Sequence, residues 1–175
     1  MIRSQRSTIV LVGPMGAGKS TVGRQLASIL KWEFLDTDRE LEARCGADIP
    51  WIFDIEGEEG FRRREAEIIS ELVSRSDIVL ATGGGAVLSD ENRSAMRRSG
   101  TIIYLTAPMD ALFQRVAKDK TRPLLQVENP RDTYQKIFLK RDPLYRKVAD
   151  HVVVTDNDAS PMAVAQSIVD LLNTD

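Results

Sequence analysis

The chain has 175 residues, of which 42% are hydrophobic and 29% are charged, with a net charge of -2 at pH 7. This length and composition predict one globular domain with its own core. The net charge disfavours a nucleic-acid surface as the main binding site. No apolar run approaches the roughly 20 residues needed to span a bilayer, and Met1 to Ser7 lacks the apolar core of a signal peptide.

Cys45 is the only cysteine, so no disulfide can form within the chain. This usage is typical of proteins in a reducing compartment. We therefore expect a cytoplasmic protein with no membrane or nucleic-acid partner.

Strand-like apolar runs alternate with segments of helical periodicity along the chain. The alternation predicts an α/β sandwich with five parallel strands and ligands at their carboxyl ends. The predicted strands are Thr8 to Val12, Glu33 to Asp36, Ile78 to Ala81, Thr101 to Leu105 and His151 to Val154. The predicted helices are Ser20 to Leu30, Asp38 to Cys45, Gly57 to Ser74, Asp90 to Arg98, Met109 to Lys118, Pro130 to Val148 and Pro161 to Leu172. Two segments fit neither pattern and have the length of functional loops, Gly46 to Gly57 and Lys118 to Asn129.

The first predicted strand leads directly into a phosphate-binding signature, Gly13-Pro14-Met15-Gly16-Ala17-Gly18-Lys19-Ser20. Glycines without a Cβ allow successive backbone N–H groups to surround a phosphate. Lys19 supplies a positive charge for the β and γ phosphates, and the Ser20 hydroxyl is a ligand for Mg²⁺. An incidental glycine-rich turn is the alternative, but the apolar strand before the loop and the helical pattern after it disfavour that interpretation. The signature predicts a nucleotide site.

The second predicted strand ends in Asp36-Thr37-Asp38. Carboxylates two residues apart on an extended segment share one face, here at the mouth of the expected site. Nucleotide kinases commonly place an Mg²⁺-linked aspartate after another apolar strand, but the position after Ile78 to Ala81 is Thr82. Asp36 is therefore the predicted metal residue, and Asp38 is expected to face the acceptor hydroxyl. The alternative is that Asp38 only caps the following helix.

Basic and glycine-rich segments supply candidates for binding an anion. Arg62 and Glu65 share one face of a predicted helix, although such charged runs are usually solvated. The run Gly83-Gly84-Gly85 either presents N–H groups to an anion or forms only a turn. Arg122 and Arg146 are the remaining candidates, since guanidinium groups bind carboxylates and phosphates in bidentate fashion.

Taken together, these motifs resemble the shikimate kinase family over nearly the whole chain. The segments that carry the resemblance are Gly16-Ala17-Gly18-Lys19-Ser20-Thr21, Asp36-Thr37-Asp38, Phe61-Arg62, Thr82-Gly83-Gly84-Gly85, Thr121-Arg122-Pro123-Leu124-Leu125 and Leu144-Tyr145-Arg146. The resemblance implies a single P-loop kinase domain over residues 1–175, a three-layer sandwich with a five-stranded parallel sheet in the order 2-3-1-4-5. It also implies a substrate-binding region at about 37–74 and a lid at about 118–129.

The implied reaction transfers the γ-phosphoryl group of ATP to the 3-hydroxyl of shikimate, in the pathway to chorismate and aromatic amino acids. ATP would be the co-substrate, one Mg²⁺ ion would bind with it, and the enzyme would be a monomer. The expected catalytic residues are Lys19, Asp38 and Arg122. The expected nucleotide-binding residues are Gly16, Ala17, Gly18, Lys19, Ser20, Thr21, Arg115 and Arg122, with Ser20 and Asp36 at the metal. The expected shikimate-binding residues are Asp38, Arg62, Glu65, Gly83, Gly84, Gly85 and Arg146.

One segment departs from the family pattern. Many members carry an arginine near the adenine after the last strand, but Asp156-Asn157-Asp158-Ala159-Ser160-Pro161 contains none. We expect backbone groups there, with Arg115 on the other side, to contact the base.

Two other classes of protein also have this phosphate loop. One is another small-molecule kinase, such as a gluconate kinase, and the other is a nucleotide-binding regulator without catalysis. The aspartate and glycine motifs disfavour the first, and the intact set of catalytic side chains disfavours the second.

Overall fold

A computed structural model describes residues 7–174 of the chain. Residues 1–6, on which most of the signal-peptide prediction depends, and residue 175 lie outside that range. The strands are β1 (Thr8–Val12), β2 (Glu33–Asp36), β3 (Ile78–Ala81), β4 (Thr101–Thr106) and β5 (His151–Val154). They form one parallel sheet in the order β2-β3-β1-β4-β5. The predicted five-stranded parallel sheet and its strand order are confirmed.

Helices cover both faces of the sheet. They are α1 (Lys19–Leu30), α2 (Thr37–Cys45), α3 (Ile49–Leu72), α4 (Asp90–Ser99), α5 (Met109–Val116), α6 (Pro130–Val148) and α7 (Pro161–Asn173). Short 3-10 turns occupy Ala86–Leu88 and Pro123–Leu125. Most ends lie within one or two residues of the predicted ones, the usual uncertainty of helix termini. Across residues 7–174, no helix is both long and apolar enough to cross a membrane.

The sheet separates two hydrophobic clusters, which accounts for the three layers. Alternate residues of β1 point to opposite faces, so Val10 and Val12 pack with α2, α3 and α4, whereas Ile9 and Leu11 pack with α1 and α7. A strand buried on both faces must be apolar throughout, as β1 and β3 are. This packing fixes the carboxyl ends of β1, β2 and β3 side by side at one edge.

The start of α3 differs from the prediction. The helix begins at Ile49 rather than Gly57, because the Asp48 side chain accepts a hydrogen bond from the Trp51 N–H at 2.9 Å and Pro50 occupies the first turn. At Gly57 the backbone leaves helical geometry, with φ 69° and ψ 179°. The predicted helix start was therefore an interruption within a longer helical segment.

Candidate active site

The phosphate loop connects β1 to α1 at the carboxyl edge of the sheet, and its shape depends on glycine. Gly16 and Gly18 have φ values of 86° and 85°, which side chains with a Cβ rarely adopt. A Cβ on Gly13 would lie 2.1 Å from the Leu105 carbonyl oxygen of β4. The loop thus has the close backbone approach that its sequence predicts.

Lys19 lies inside this loop. Its Nζ donates hydrogen bonds to the carbonyl oxygens of Gly13 at 2.8 Å and Pro14 at 3.0 Å. Burial, and next the charge of Arg122, lower the pKa of Lys19 to about 8. An anion bound in the loop would oppose both effects, because it favours the charged form of the amine.

Asp36 connects the phosphate loop with the start of α2. Its Oδ2 accepts a hydrogen bond from the Ser20 hydroxyl, and its Oδ1 accepts from the N–H groups of Asp38 at 3.0 Å and Arg39 at 3.3 Å. Asp36 therefore caps α2, so the alternative in which Asp38 caps this helix is wrong. Ser20 and Asp36 place a hydroxyl and a carboxylate side by side, oxygen donors of the kind that Mg²⁺ prefers.

Asp38 and Glu65 are two carboxylates packed against the same glycine. A Cβ on Gly83 would lie 2.9 Å from Asp38 Oδ1 and 2.8 Å from Glu65 Oε2, so a side chain here would displace one or both carboxylates. Burial, followed by repulsion from Glu65 and Asp36, raises the pKa of Asp38 to about 6. Burial also raises the pKa of Glu65, against the attraction of Arg62. The site thus concentrates negative charge where an acceptor hydroxyl would lie.

Arg62 and Arg141 face this region from two sides. Arg62 donates from Nη1 to Glu65 Oε1 at 2.8 Å, and its guanidinium packs so closely on Gly85 that a Cβ there would overlap it. Arg141 on α6 is 5% exposed, and its Nη1 is 3.4 Å from the position of a Cβ on Gly84. The two guanidinium groups and the glycines line one cavity.

Arg146, the arginine of α6 expected to bind shikimate, does not line this cavity. Its side chain is 56% exposed, and its Nε donates to Asp142 Oδ2 at 2.9 Å. Five residues of helix turn the chain through about 500°, so Arg146 and Arg141 point to different faces. Arg141 is the arginine that the sequence analysis missed. The sequence feature that could have identified Arg141 is its i, i+4 spacing to Tyr145, which places both residues on one face of α6. The structure buries both of them.

The glycine turn, defined as Gly83, Gly84 and Gly85, follows β3. The Gly83 N–H donates to Thr37 Oγ1 at 3.0 Å, so this amide is already paired and is not free for a substrate as expected. The amides of Gly84 and Gly85 donate to no other described residue. The structure therefore leaves two of the three predicted amides available.

Two further arginines lie on the nucleotide side. Arg122 donates from Nε to Asp119 Oδ2 at 3.0 Å, and the segment that carries it, predicted as the lid, contains the 3-10 turn Pro123–Leu125. Arg115 donates to the Gly16 carbonyl at 2.9 Å and to Asn157 Oδ1 at 3.3 Å. Arg115 therefore joins the phosphate loop to the segment after β5, where the base was expected.

A cleft of about 470 Å³ brings together the phosphate loop, both aspartates and Arg122. It extends from the phosphate loop to the glycine turn, and it adjoins the cavity of Arg62 and Arg141, since Asp38, Gly84 and Arg122 line both. The lining of the cleft includes Gly16, Gly18, Lys19, Ser20, Thr21, Asp36 and Gly83. Its dimensions and charges suit a polyphosphate beside a small acid.

Comparisons with known proteins agree on one family. The model of the family described as "Shikimate kinase" matches residues 15–173. A shikimate kinase of Histophilus somni is 53% identical over 171 residues, covering 97% of each chain. One from Chromohalobacter salexigens is 55% identical over 162 residues, which are 93% of this chain and 89% of the relative. The solved structure of shikimate kinase from Acinetobacter baumannii in complex with shikimate superposes with a TM-score of 0.93 at 49% identity, covering 97% of this chain and 94% of that one.

Proposed function

The chain belongs to the shikimate kinase family, ATP-dependent phosphotransferases, and we propose that its cleft transfers the γ-phosphoryl group of ATP to the 3-hydroxyl of shikimate. The observation that carries this proposal is the position of Asp38. It lines both the cleft of the phosphate loop and the cavity of Arg62 and Arg141. A carboxylate at that junction contacts an acceptor hydroxyl on one side and faces the transferred phosphoryl group on the other.

On the acceptor side, Arg62 and Arg141 bind the shikimate carboxylate, and the free amides of Gly84 and Gly85 complete the anion site. This proposal replaces Arg146, the predicted partner of Arg62, with Arg141. The support is burial, since Arg141 is 5% exposed and lines the cavity. Glu65 keeps its expected place in the site through its ion pair with Arg62.

On the nucleotide side, Lys19 and the amides of Gly16 to Thr21 bind the phosphates, Arg115 contacts the base region, and Arg122 faces the γ phosphate. Ser20 and Asp36 would hold one Mg²⁺ ion, which neutralises charge on the β and γ phosphates. Asp38 orients the 3-hydroxyl and accepts its proton while the hydroxyl oxygen bonds to the γ phosphorus. The bond from that phosphorus to the bridging oxygen breaks, and ADP leaves.

The raised pKa of Asp38, about 6, suits this task. The carboxylate is ionised at neutral pH, yet it is a stronger base than an ordinary aspartate. Because phosphoryl transfer has a loose transition state, alignment and charge neutralisation contribute more than proton abstraction. We therefore assign Asp38 first to orientation and second to proton transfer.

A coupled assay of ADP release tests the function directly. ADP should form rapidly with shikimate, but only at background rates with gluconate or without an acceptor. Rapid turnover of gluconate would favour the other small-molecule kinase, and no turnover with any acceptor would favour a regulator.

The proposal includes a monomeric enzyme in the cytoplasm. The single cysteine, which is typical of proteins in a reducing compartment, supports the cytoplasmic location. Sedimentation at several protein concentrations tests the oligomeric state, and a constant monomer mass is expected.

A further inference from the structure

The glycine turn is tied to its surroundings through backbone atoms. The Gly83 N–H donates to Thr37 Oγ1 at 3.0 Å, and the Gly83 carbonyl accepts from the Ala86 N–H at 3.0 Å. The Gly84 carbonyl accepts from the Tyr145 hydroxyl. Two side-chain hydroxyls from separate elements, Thr37 at the start of α2 and Tyr145 on α6, therefore hold the turn from opposite sides.

Both hydroxyl-bearing residues are buried. Thr37 is 0% exposed and Tyr145 is 1% exposed. Burial raises the pKa of Tyr145 to about 12, so its hydroxyl stays protonated and donates to the Gly84 carbonyl. Removing either hydroxyl would leave a half-buried backbone group of the turn without its present partner, which destabilises the position of the turn.

The turn needs external support for two reasons. Three consecutive glycines lose more conformational freedom on folding than any other run of residues. In addition, Gly83 packs against Asp38 and Glu65, and Gly85 packs against Arg62, so a small displacement would disturb both carboxylates and the guanidinium. A binding site requires its donors within about 0.5 Å of the productive geometry.

We propose that Thr37 and Tyr145 are positioning residues, which hold the glycine turn so that Gly84 and Gly85 direct their N–H groups at the substrate carboxylate. The identity of the ligand, a small carboxylic acid, rests on the proposed function. Neither residue belongs to the set expected to contact the substrate. Thr37 acts through the Gly83 N–H, whereas Tyr145 acts through the Gly84 carbonyl and also contacts the Arg141 side chain.

Isosteric variants test the proposal by calorimetric titration of shikimate and, separately, of ATP. Thr37→Val should weaken shikimate binding about tenfold, as expected for loss of a part-buried hydrogen bond. Tyr145→Phe should weaken it at least as much, because it also removes the contact with Arg141. ATP binding should change less than about twofold, because neither hydroxyl touches the phosphate loop. Thr37→Ser retains the hydroxyl and should restore shikimate binding. This rescue separates positioning from a general packing defect.

Thr8→Val is the matched control. Thr8 is also buried, and its hydroxyl donates to the Arg75 carbonyl at 3.0 Å, at the amino end of the sheet. The variant should lower the thermal midpoint but leave shikimate affinity unchanged. Amide exchange by NMR supplies a readout without ligand, since the Gly83 N–H should lose protection in Thr37→Val and keep it in Thr37→Ser.

The outcomes separate the two proposals. If the wild type binds shikimate and both Thr37→Val and Tyr145→Phe bind it equally well, the positioning proposal is overturned. The same conclusion follows if Thr37→Ser is as defective as Thr37→Val. If the wild type itself does not bind shikimate, the proposed function fails. The amide exchange experiment still tests the Thr37 contact in that case, because unchanged protection of the Gly83 N–H in Thr37→Val would overturn it.

Discussion

The phosphate loop is built differently from the acceptor cavity, which is the cavity that Arg62, Arg141 and the glycine turn line. Residues of the loop are consecutive in sequence, and their backbone groups form much of the site. The acceptor cavity instead combines side chains from α2, α3 and α6 with the glycine turn. Local sequence therefore determines the first region, whereas the second depends on how separate helices pack on the sheet.

This difference has an energetic counterpart. In the loop, Lys19 is a half-buried cation, and phosphate would neutralise it. In the acceptor cavity, the half-buried Asp38 lies beside the buried Glu65, and only Glu65 has an arginine partner within ion-pair distance among the described residues. The loop thus holds a cation, whereas the cavity holds two adjacent carboxylates beside Arg62 and Arg141. Groups with shifted pKa values of this kind are typical of functional sites.

Exchanging each aspartate for asparagine should produce the largest and clearest contrast between the two regions. Asp38→Asn removes the proton acceptor and should lower kcat on the order of 10² to 10⁴-fold, even at saturating Mg²⁺ and ATP. Asp36→Asn removes charge beside Ser20, so its defect should be partly recovered as Mg²⁺ is raised. Steady-state kinetics across a Mg²⁺ series measure both. If metal rescues Asp38→Asn instead, the two assignments are reversed.

The arginines of α6 give a second contrast, within the acceptor cavity. Arg141→Ala should weaken shikimate binding by about 2 to 4 kcal/mol, because it leaves a buried anion site without one of its cations. Arg146→Ala is the matched control on the same helix and should cost less than about 1 kcal/mol, since its ion pair with Asp142 is largely exposed. Calorimetric titration decides between them, and a larger loss in Arg146→Ala would restore the original prediction.

Features formed by consecutive residues could be predicted from the sequence, whereas features that depend on the packing of separate helices could not. The phosphate loop, the five strands and the Asp36-Thr37-Asp38 motif follow from local patterns, and the structure has them in the predicted places. Arg141 and Arg146 lie five residues apart on one helix, and the i, i+4 spacing of Arg141 to Tyr145 identifies the buried arginine only once the burial of Tyr145 is known. The rotation of α6 about its axis is set by the burial of Tyr145 and Val148 against the sheet.

Backbone hydrogen bonds across elements were also beyond prediction. The family resemblance implied that β2 lies beside β3, but a strand order does not specify which side chain pairs with the Gly83 N–H. The start of α3 was missed for a different reason. Its Asp48 cap and Pro50 are local signals, but Gly57 was taken as the boundary.

The half-buried carboxylate of Asp38 should also affect the unfolding free energy of the metal-free enzyme. Its pKa rises from 3.8 to about 6 on folding, so the folded state binds this proton more tightly than the unfolded chain. Unfolding free energy should then fall as pH rises from about 4 to about 6. Asparagine does not titrate in this range, so the unfolding free energy of Asp38→Asn should not fall with pH in this way. At pH 7 it should exceed that of the wild type by about 2 to 3 kcal/mol.

Urea unfolding at several pH values, with a chelator present, measures this effect. Asp54→Asn, which removes an exposed carboxylate from α3, controls for the change in net charge. Equal stability of Asp38→Asn and wild type at pH 7 would contradict the burial of a charged carboxylate at this position.

The smallest effect is expected at the base region of the nucleotide side, where the family arginine is absent. Arg115 joins the Gly16 carbonyl to Asn157, and both contacts are solvent-exposed. Arg115→Ala should therefore weaken ATP binding by only about 1 kcal/mol, roughly fivefold, without changing shikimate affinity.

Asn157→Ala is the control for this prediction. It removes only the contact between Arg115 and Asn157, so it should weaken ATP binding less than Arg115→Ala does. Titrations of each variant with ATP and with inorganic triphosphate locate the loss. If Arg115 contacts the base, as proposed, ATP affinity should fall and triphosphate affinity should not. An equal loss for both ligands would instead make Arg115 a phosphate-binding residue and move the base contact elsewhere.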